Sequence, residues 1–134
     1  KISDGKLGST ITSTNELYLD GSHNEDAASN LNETINMLPK KKLCIILGMI
    51  NTKDPHSYLS KFDKIDELTV ITIPNEENAI DSNELYSRLS EHFKNINTAD
   101  SIQEALSAMN NKYNDARILI CGSLYLAGKV LEMN

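Results

Sequence analysis

Glu16-Leu17-Tyr18-Leu19-Asp20-Gly21-Ser22-His23-Asn24-Glu25-Asp26-Ala27-Ala28 changes character twice along its length. Apolar residues dominate up to Leu19, and a polar turn containing a glycine follows. Beyond it Ala27, Ala28, Leu31, Ile35 and Leu38 recur with the period of a helix. A short apolar run without strict alternation suits a strand covered on both faces, as in a parallel sheet. Asn24 or a neighbour is the expected helix cap, Glu25 and Asp26 favour the positive end of the helix, and Pro39 stops it. The unit is strand, polar turn, helix.

Outward from this unit the same alternation repeats. Leu43 to Gly48, Leu68 to Ile73 and Arg117 to Cys121 read as three more strands. Between them Pro55 to Ile65 carries Tyr58, Leu59, Phe62 and Ile65 on one helical face, and Asp81 or Ser82 starts a helix running to Phe93 through Leu85 and Leu89. Asp100 or Ser101 caps a further helix with Ile102, Leu106 and Met109 inward. Gly122-Ser123 opens the last, with Leu124, Ala127, Val130 and Leu131 inward. Leu7 to Thr12 and Asn95 to Thr98 are candidates for extra edge strands, the first of them antiparallel. The expected fold is α/β: a three-layer, Rossmann-like, mostly parallel sheet of about five or six strands, with helices on both faces, right-handed crossovers and room for one antiparallel edge strand.

A length of 134 residues matches one domain, able to bury roughly two thirds of its unfolded surface. The formal charge of −6 repels polyanions, and the only cationic run, Lys40-Lys41-Lys42, stands just before a strand and reads as a solvated loop. Nucleic acid is therefore not expected as a partner. Cys44 and Cys121 lie inside apolar runs and suit neither a disulfide framework nor a zinc site; both read as core thiols in a reducing compartment. No apolar stretch approaches the roughly 20 residues of a membrane span. A cytoplasmic, monomeric protein without membrane contact is expected. Because it begins at Lys1 instead of methionine, the chain is also expected to be part of a longer polypeptide.

In open parallel sheets ligands bind beyond the carboxyl ends of the strands, where helix N-termini converge. The turns there are Asp20-Gly21-Ser22-His23-Asn24, Gly48-Met49-Ile50-Asn51-Thr52-Lys53-Asp54, Pro74-Asn75-Glu76-Glu77-Asn78 and Gly122-Ser123. Asp20 could accept from ribose hydroxyls or help hold a cation, and His23 could donate to a phosphate oxygen. The same residues also fit an ordinary turn with an aspartate cap. Lys53 offers an ammonium to a carboxylate or phosphate, or is a solvated loop residue; Asp54 caps the next helix; Ser123 contacts an anion or caps the last helix. No dinucleotide fingerprint or phosphate loop is present, so the domain does not read as a self-sufficient nucleotidase. His56 and His92 read as surface residues, and no metal site is expected in this chain.

Glu16-Leu17-Tyr18-Leu19-Asp20-Gly21-Ser22-His23-Asn24, followed by an alanine pair, resembles the Asp-Gly-Ala-His-Asn segment that opens the C-terminal domain of folylpolyglutamate synthase and bifunctional dihydrofolate synthase. Gly48-Met49 with Lys53-Asp54 resembles that family's Gly-Met-x-x-x-Lys-Asp turn, and Gly122-Ser123-Leu124-Tyr125 its Gly-Ser-Leu-Tyr motif. The resemblance spans nearly the whole chain. Ser22 departs from the commoner alanine or glycine, Glu25 stands where proline often follows, and Gly5-Lys6 is a poor match for the family's upstream Gly-Arg element.

The resemblance implies the C-terminal domain of a two-domain ATP-dependent ligase of the Mur ligase superfamily, filling residues 1–134. Such an enzyme phosphorylates a pteroate or folate carboxylate and lets the amine of L-glutamate attack the acyl phosphate. The phosphate loop and most Mg2+ ligands would belong to an N-terminal ATPase domain, the chain's implied partner, and this fragment alone would be inactive. By the same resemblance Asp20 would approach the nucleotide ribose or its cation and His23 the phosphates as the catalytic contact, with Ser22 and Asn24 as polar support. Lys53 and Ser123 would bind the carboxylates of glutamate. Other readings are another Mur-type ligase adding an amino acid to a cell-wall precursor, a non-catalytic Rossmann-like small-molecule binding module, and an interaction domain whose polar strand ends are incidental.

Overall fold

The computed structural model describes residues 1–134. Five strands, β1 (Glu16–Leu19), β2 (Lys42–Leu47), β3 (Glu67–Val70), β4 (Ile96–Thr98) and β5 (Ala116–Cys121), form one sheet in the order β1-β5-β2-β3-β4, with every pairing parallel. Six helices accompany them: α1 (Gly5–Gly8), α2 (Glu25–Asn36), α3 (Pro55–Leu59), α4 (Ser82–Leu89), α5 (Ile102–Lys112) and α6 (Leu124–Met133). β2 and β5 lie centrally. Their runs Leu43–Leu47 and Ala116–Cys121 are buried throughout, which explains the continuous apolar pattern in place of alternation.

Side chains of alternate parity point to opposite faces, and each face builds its own core. Leu43, Ile45 and Leu47 meet Ala28, Tyr58, Leu59, Leu85 and Leu89 from α2, α3 and α4. Cys44 and Ile46 meet Ile102, Leu106, Met109, Leu126 and Val130 from α5 and α6. Three crossovers advance over one face and the return from β4 to β5 uses the other, the arrangement that right-handed connections impose when the strand order reverses. Burying each such leucine or isoleucine contributes about 1.5–3 kcal/mol.

The caps expected from sequence are formed. Asn24 accepts from Ala27 N (2.8 Å), Ser101 from Glu104 N (3.0 Å), and Asp81 from Asn83 N (3.0 Å). Asn95 to Thr98 supplies the edge strand β4, which is parallel to β3.

Four expectations need correction. Leu7 to Thr12 is not a strand: the segment turns through α1, buries Leu7 in the α5/α6 core, and leaves only an antiparallel bridge of Ile2 with Leu17. The chain's last residue holds it there, Asn134 Oδ1 accepting from Leu7 N (2.9 Å) and Gly8 N (3.2 Å) and Asn134 O from Lys6 N (3.3 Å). α3 ends at Leu59 instead of continuing to Ile65, although Phe62 is still buried and Ile65 packs on the same core. α4 ends at Leu89, with Phe93 packed from the loop beyond. Leu124 and Leu131 are exposed at 69% and 63%, because Leu126, Ala127 and Val130 take the inward face of α6.

Candidate functional site

The carboxyl ends of three adjacent strands are tied together by backbone hydrogen bonds. Asp20 N donates to Ile120 O (3.0 Å), Gly122 N to Ser22 O (3.2 Å) and Gly48 N to Cys121 O (3.3 Å). The turns that leave β1, β5 and β2 therefore lie side by side along one edge of the sheet. Gly122 adopts φ +111°, where a residue with a Cβ is strained. A Cβ there would stand 2.6 Å from Gly48 O, so the two turns approach this closely only because position 122 is glycine.

Within the first turn, Asp20 Oδ1 accepts from Ser22 N (2.7 Å), which closes the loop back on itself. Ser22 Oγ is 2.6 Å from Tyr58 OH, one hydroxyl donating to the other. His23 is half-buried, and its Nδ1 is enclosed without a hydrogen-bond partner. Such an orphan is costly unless something fills it. Asn24 is engaged as the α2 cap, with its amide group exposed.

Past β2, Lys53 N donates to Ile50 O (3.2 Å), and the half-buried Lys53 forms no ion pair. Asp54 caps α3, Oδ1 accepting from His56 N (3.1 Å) and Ser57 N (3.4 Å) and Oδ2 from Ser57 Oγ (2.8 Å). The Ser57 hydroxyl and these amides hold its carboxyl below the usual range. Ser123 is 2% exposed, and its Oγ accepts from Tyr125 N (3.0 Å) and Leu126 N (3.4 Å) as the α6 cap. The hydroxyl proton is what remains to offer an anion.

The six residues singled out from sequence thus lie on one sheet edge. Four of them, Asp20, Ser22, Asn24 and Ser123, already hold structural hydrogen bonds there. Pro74 to Asn78, the remaining turn, follows β3 one strand further along, where Ala79 bridges to Ile50. No three of the chain's His, Cys, Asp and Glu side chains converge as a metal site. His56 and His92 are exposed, their rings 4.0 Å apart between centroids.

A hollow of about 980 Å³ lies at the opposite edge, where the strands begin. Lys40, Lys41, Lys42, Lys64, Lys112 and Arg117 line it. Most of these cations are already neutralised: Arg117 Nη2 meets Glu16 Oε1 (3.1 Å), Lys41 meets Asp115 (3.0 Å), Lys64 meets Asp66 (3.4 Å), and Lys112 meets Glu67 Oε1 (2.5 Å). Helix C-termini also point to this edge and repel anions. This salt-bridged collar closes the bottom of the sheet. Lys40 and Lys42 are exposed, as expected of a solvated run, whereas the Lys41 side chain is only 14% exposed and donates to Thr14 O (2.6 Å).

Residues 5–133 match the family model "Dihydrofolate synthetase, C-terminal domain". The chain belongs to that family. The folylpolyglutamate synthase of Lacticaseibacillus casei is 31% identical over 126 residues, covering 91% of this chain and 28% of the relative. E. coli FolC in complex with ADP superposes with a TM-score of 0.77 at 22% identity, over 91% of this chain and 29% of that one. A bifunctional folylpolyglutamate synthase/dihydrofolate synthase with Mn, AMPPNP and L-glutamate bound gives a TM-score of 0.72 at 22% identity, with the same coverages. These two likenesses are of fold. This dihydrofolate synthetase C-terminal domain spans less than a third of the length of the relatives it matches.

From the sequence Tyr58 reads only as a residue of the apolar helix face, and Arg117 only as the start of a strand. The signal at Tyr58 was a hydroxyl-bearing ring one helical turn beyond a glycine-led site loop. For Arg117 it was a cation opening an otherwise apolar strand.

Proposed function

We propose that this domain forms one wall of the active site in an ATP-dependent amide ligase that adds L-glutamate to dihydropteroate, to folates, or to both. The observation that carries the reading is the alignment of the Asp20–Asn24, Gly48–Asp54 and Gly122–Ser123 turns on three adjacent strand ends, with the enclosed His23 Nδ1 lacking a partner. Membership of the dihydrofolate synthetase family and the ligands bound by the fold's solved relatives support it. Two substrates must be aligned, one a nucleotide and one an amino acid, and the edge offers separate polar groups for each.

In this reading Asp20 meets the ribose hydroxyls or the associated cation, and His23 hydrogen-bonds the phosphates. Ser22 and Asn24 fix the turn from which both project. Lys53 pairs with a carboxylate of glutamate, an ammonium–carboxylate contact free of competing partners, and the Ser123 hydroxyl donates to another. The chain gathers no cluster of metal ligands; a phosphate loop and most Mg2+ ligands are assigned to a preceding ATPase domain on the same polypeptide. Phosphoryl transfer depends on alignment and charge stabilisation, so dividing the ligands between two domains lets closure assemble the site and exclude water. The separate domain is inactive.

Steady-state assay of the complete enzyme carrying His23→Ala tests this. Turnover should fall by roughly a hundredfold, the scale seen when one donor to developing charge is lost. The melting temperature should hardly change, since the enclosed His23 Nδ1 has no hydrogen-bond partner in the fold to lose. Undiminished ATP-dependent ligation would remove His23 from the mechanism.

A further inference from the structure

We infer that Tyr58 is a positioning residue that, through the Ser22 hydroxyl, ties the nucleotide turn to the Lys53 loop, a side-chain hydrogen bond that joins the two halves of the site directly. The inference rests on the functional reading above and deepens it. Ser22 and Tyr58 are 36 residues apart in sequence, and their hydroxyl oxygens are 2.6 Å apart. Tyr58 is 1% exposed, and its ring meets Phe62 edge-on, with centroids 5.8 Å apart. Burial, then the neighbouring Cys121 thiol, push its phenol well above the usual range, so it keeps its proton and its hydrogen-bonding capacity. A ring so enclosed holds its hydroxyl in one place, and removing the Ser22 hydroxyl takes away its oxygen partner.

The route from one half-site to the other is short. Ser22 belongs to the turn that carries Asp20 and His23, and its backbone is clamped by Asp20 Oδ1 on one side and Gly122 N on the other. Tyr58 N donates to Asp54 O (3.1 Å) within α3, whose cap Asp54 directly follows Lys53. β1 and β2 are not neighbours, because β5 lies between them. The Ser22–Tyr58 contact therefore bridges across the intervening strand, where no ladder could join the two loops. Alanine at position 22 could not make this link. The serine and the tyrosine are best understood as a pair.

The test uses the full-length ligase with Tyr58→Phe, Ser22→Ala and the double replacement. Each single change should raise the KM for ATP and for glutamate together, by roughly three- to tenfold, the loss of one buried hydroxyl contact. Ser22→Thr, which restores a hydroxyl, should recover most of it. The double variant should be no worse than the poorer single one, because both remove the same bond. Amide hydrogen exchange on the same proteins should quicken in 20–24 and 51–54 at once. Unmoved KM values, a shift in only one substrate, or effects that multiply in the double variant would overturn the inference. Should the unaltered enzyme fail to ligate glutamate, the functional reading falls; the exchange data then decide the coupling alone, and unchanged protection in either segment defeats it.

Discussion

Replacing Gly122 with alanine should cost this domain a large share of its stability, and the structure supplies the terms. At φ +111° an alanine is strained by about 1–3 kcal/mol. Its Cβ would lie 2.6 Å from Gly48 O, 2.7 Å from Leu47 Cδ1 and 3.1 Å from Met49 Cγ. The methyl and thioether neighbours can give way. The carbonyl cannot, because Gly48 N is bonded to Cys121 O at the β2–β5 seam. Overpacking against such a neighbour adds about 1–3 kcal/mol, for a total near 4 kcal/mol out of the roughly 5–15 kcal/mol typical of a domain. In urea, monitored by circular dichroism, the midpoint should drop by about 2 M. Gly128→Ala provides the opposite sign: nothing lies within 4 Å of its added Cβ, and the site is inside α6, so the midpoint should rise by an amount equivalent to about 0.5–1 kcal/mol. A loss below about 1 kcal/mol at position 122, or shifts of the same sign in both variants, would refute the reasoning.

The remaining expectations concern pH and thiol chemistry. Ser57 and the α3 amides hold the Asp54 carboxyl below its usual range, and the charge of His56 adds to this. The stability it contributes is therefore complete above the unfolded carboxylate value of about 4 and disappears as pH falls through the lower folded value. Asp54→Asn should flatten the urea midpoint between roughly pH 5 and 2; an unaltered profile would mean that the cap contributes nothing through its charge. Burial pushes the Cys44 and Cys121 thiols up to about 12, so a disulfide reagent at pH 8 should label neither until denaturant is added. Rapid labelling of two thiols in the folded protein would show that the sheet opens readily.

Local chemistry explains why much of this fold was readable from sequence. Asn24, Asp54, Ser101 and Ser123 cap helices through contacts two or three residues away, and the uninterrupted runs at β2 and β5 signal burial on both faces. α6 was harder. Leu124, Leu126, Ala127, Val130 and Leu131 share one broad apolar arc, and periodicity does not say that packing takes Leu126, Ala127 and Val130 and leaves Leu124 and Leu131 exposed at its edge. Leu7 to Thr12 read as a strand because its apolar spacing is compatible with one; what decides its path is Asn134, more than a hundred residues away. Arg117 with Glu16 and Ser22 with Tyr58 are likewise long-range pairs, and no spacing rule anticipates them. The site edge itself was readable because parallel strands all end on the same side. Which hydroxyls are already committed to caps and links was not.

Three hydrogen bonds hold Asn134 against the Lys6–Gly8 segment, so α6 is fixed at both ends: Ser123 caps it beside the ligand edge, and Asn134 ties it to α1. A strut pinned in this way links the Gly122–Ser123 turn to a segment at the opposite end of the helix. Loosening α1 would therefore be felt at the ligand edge.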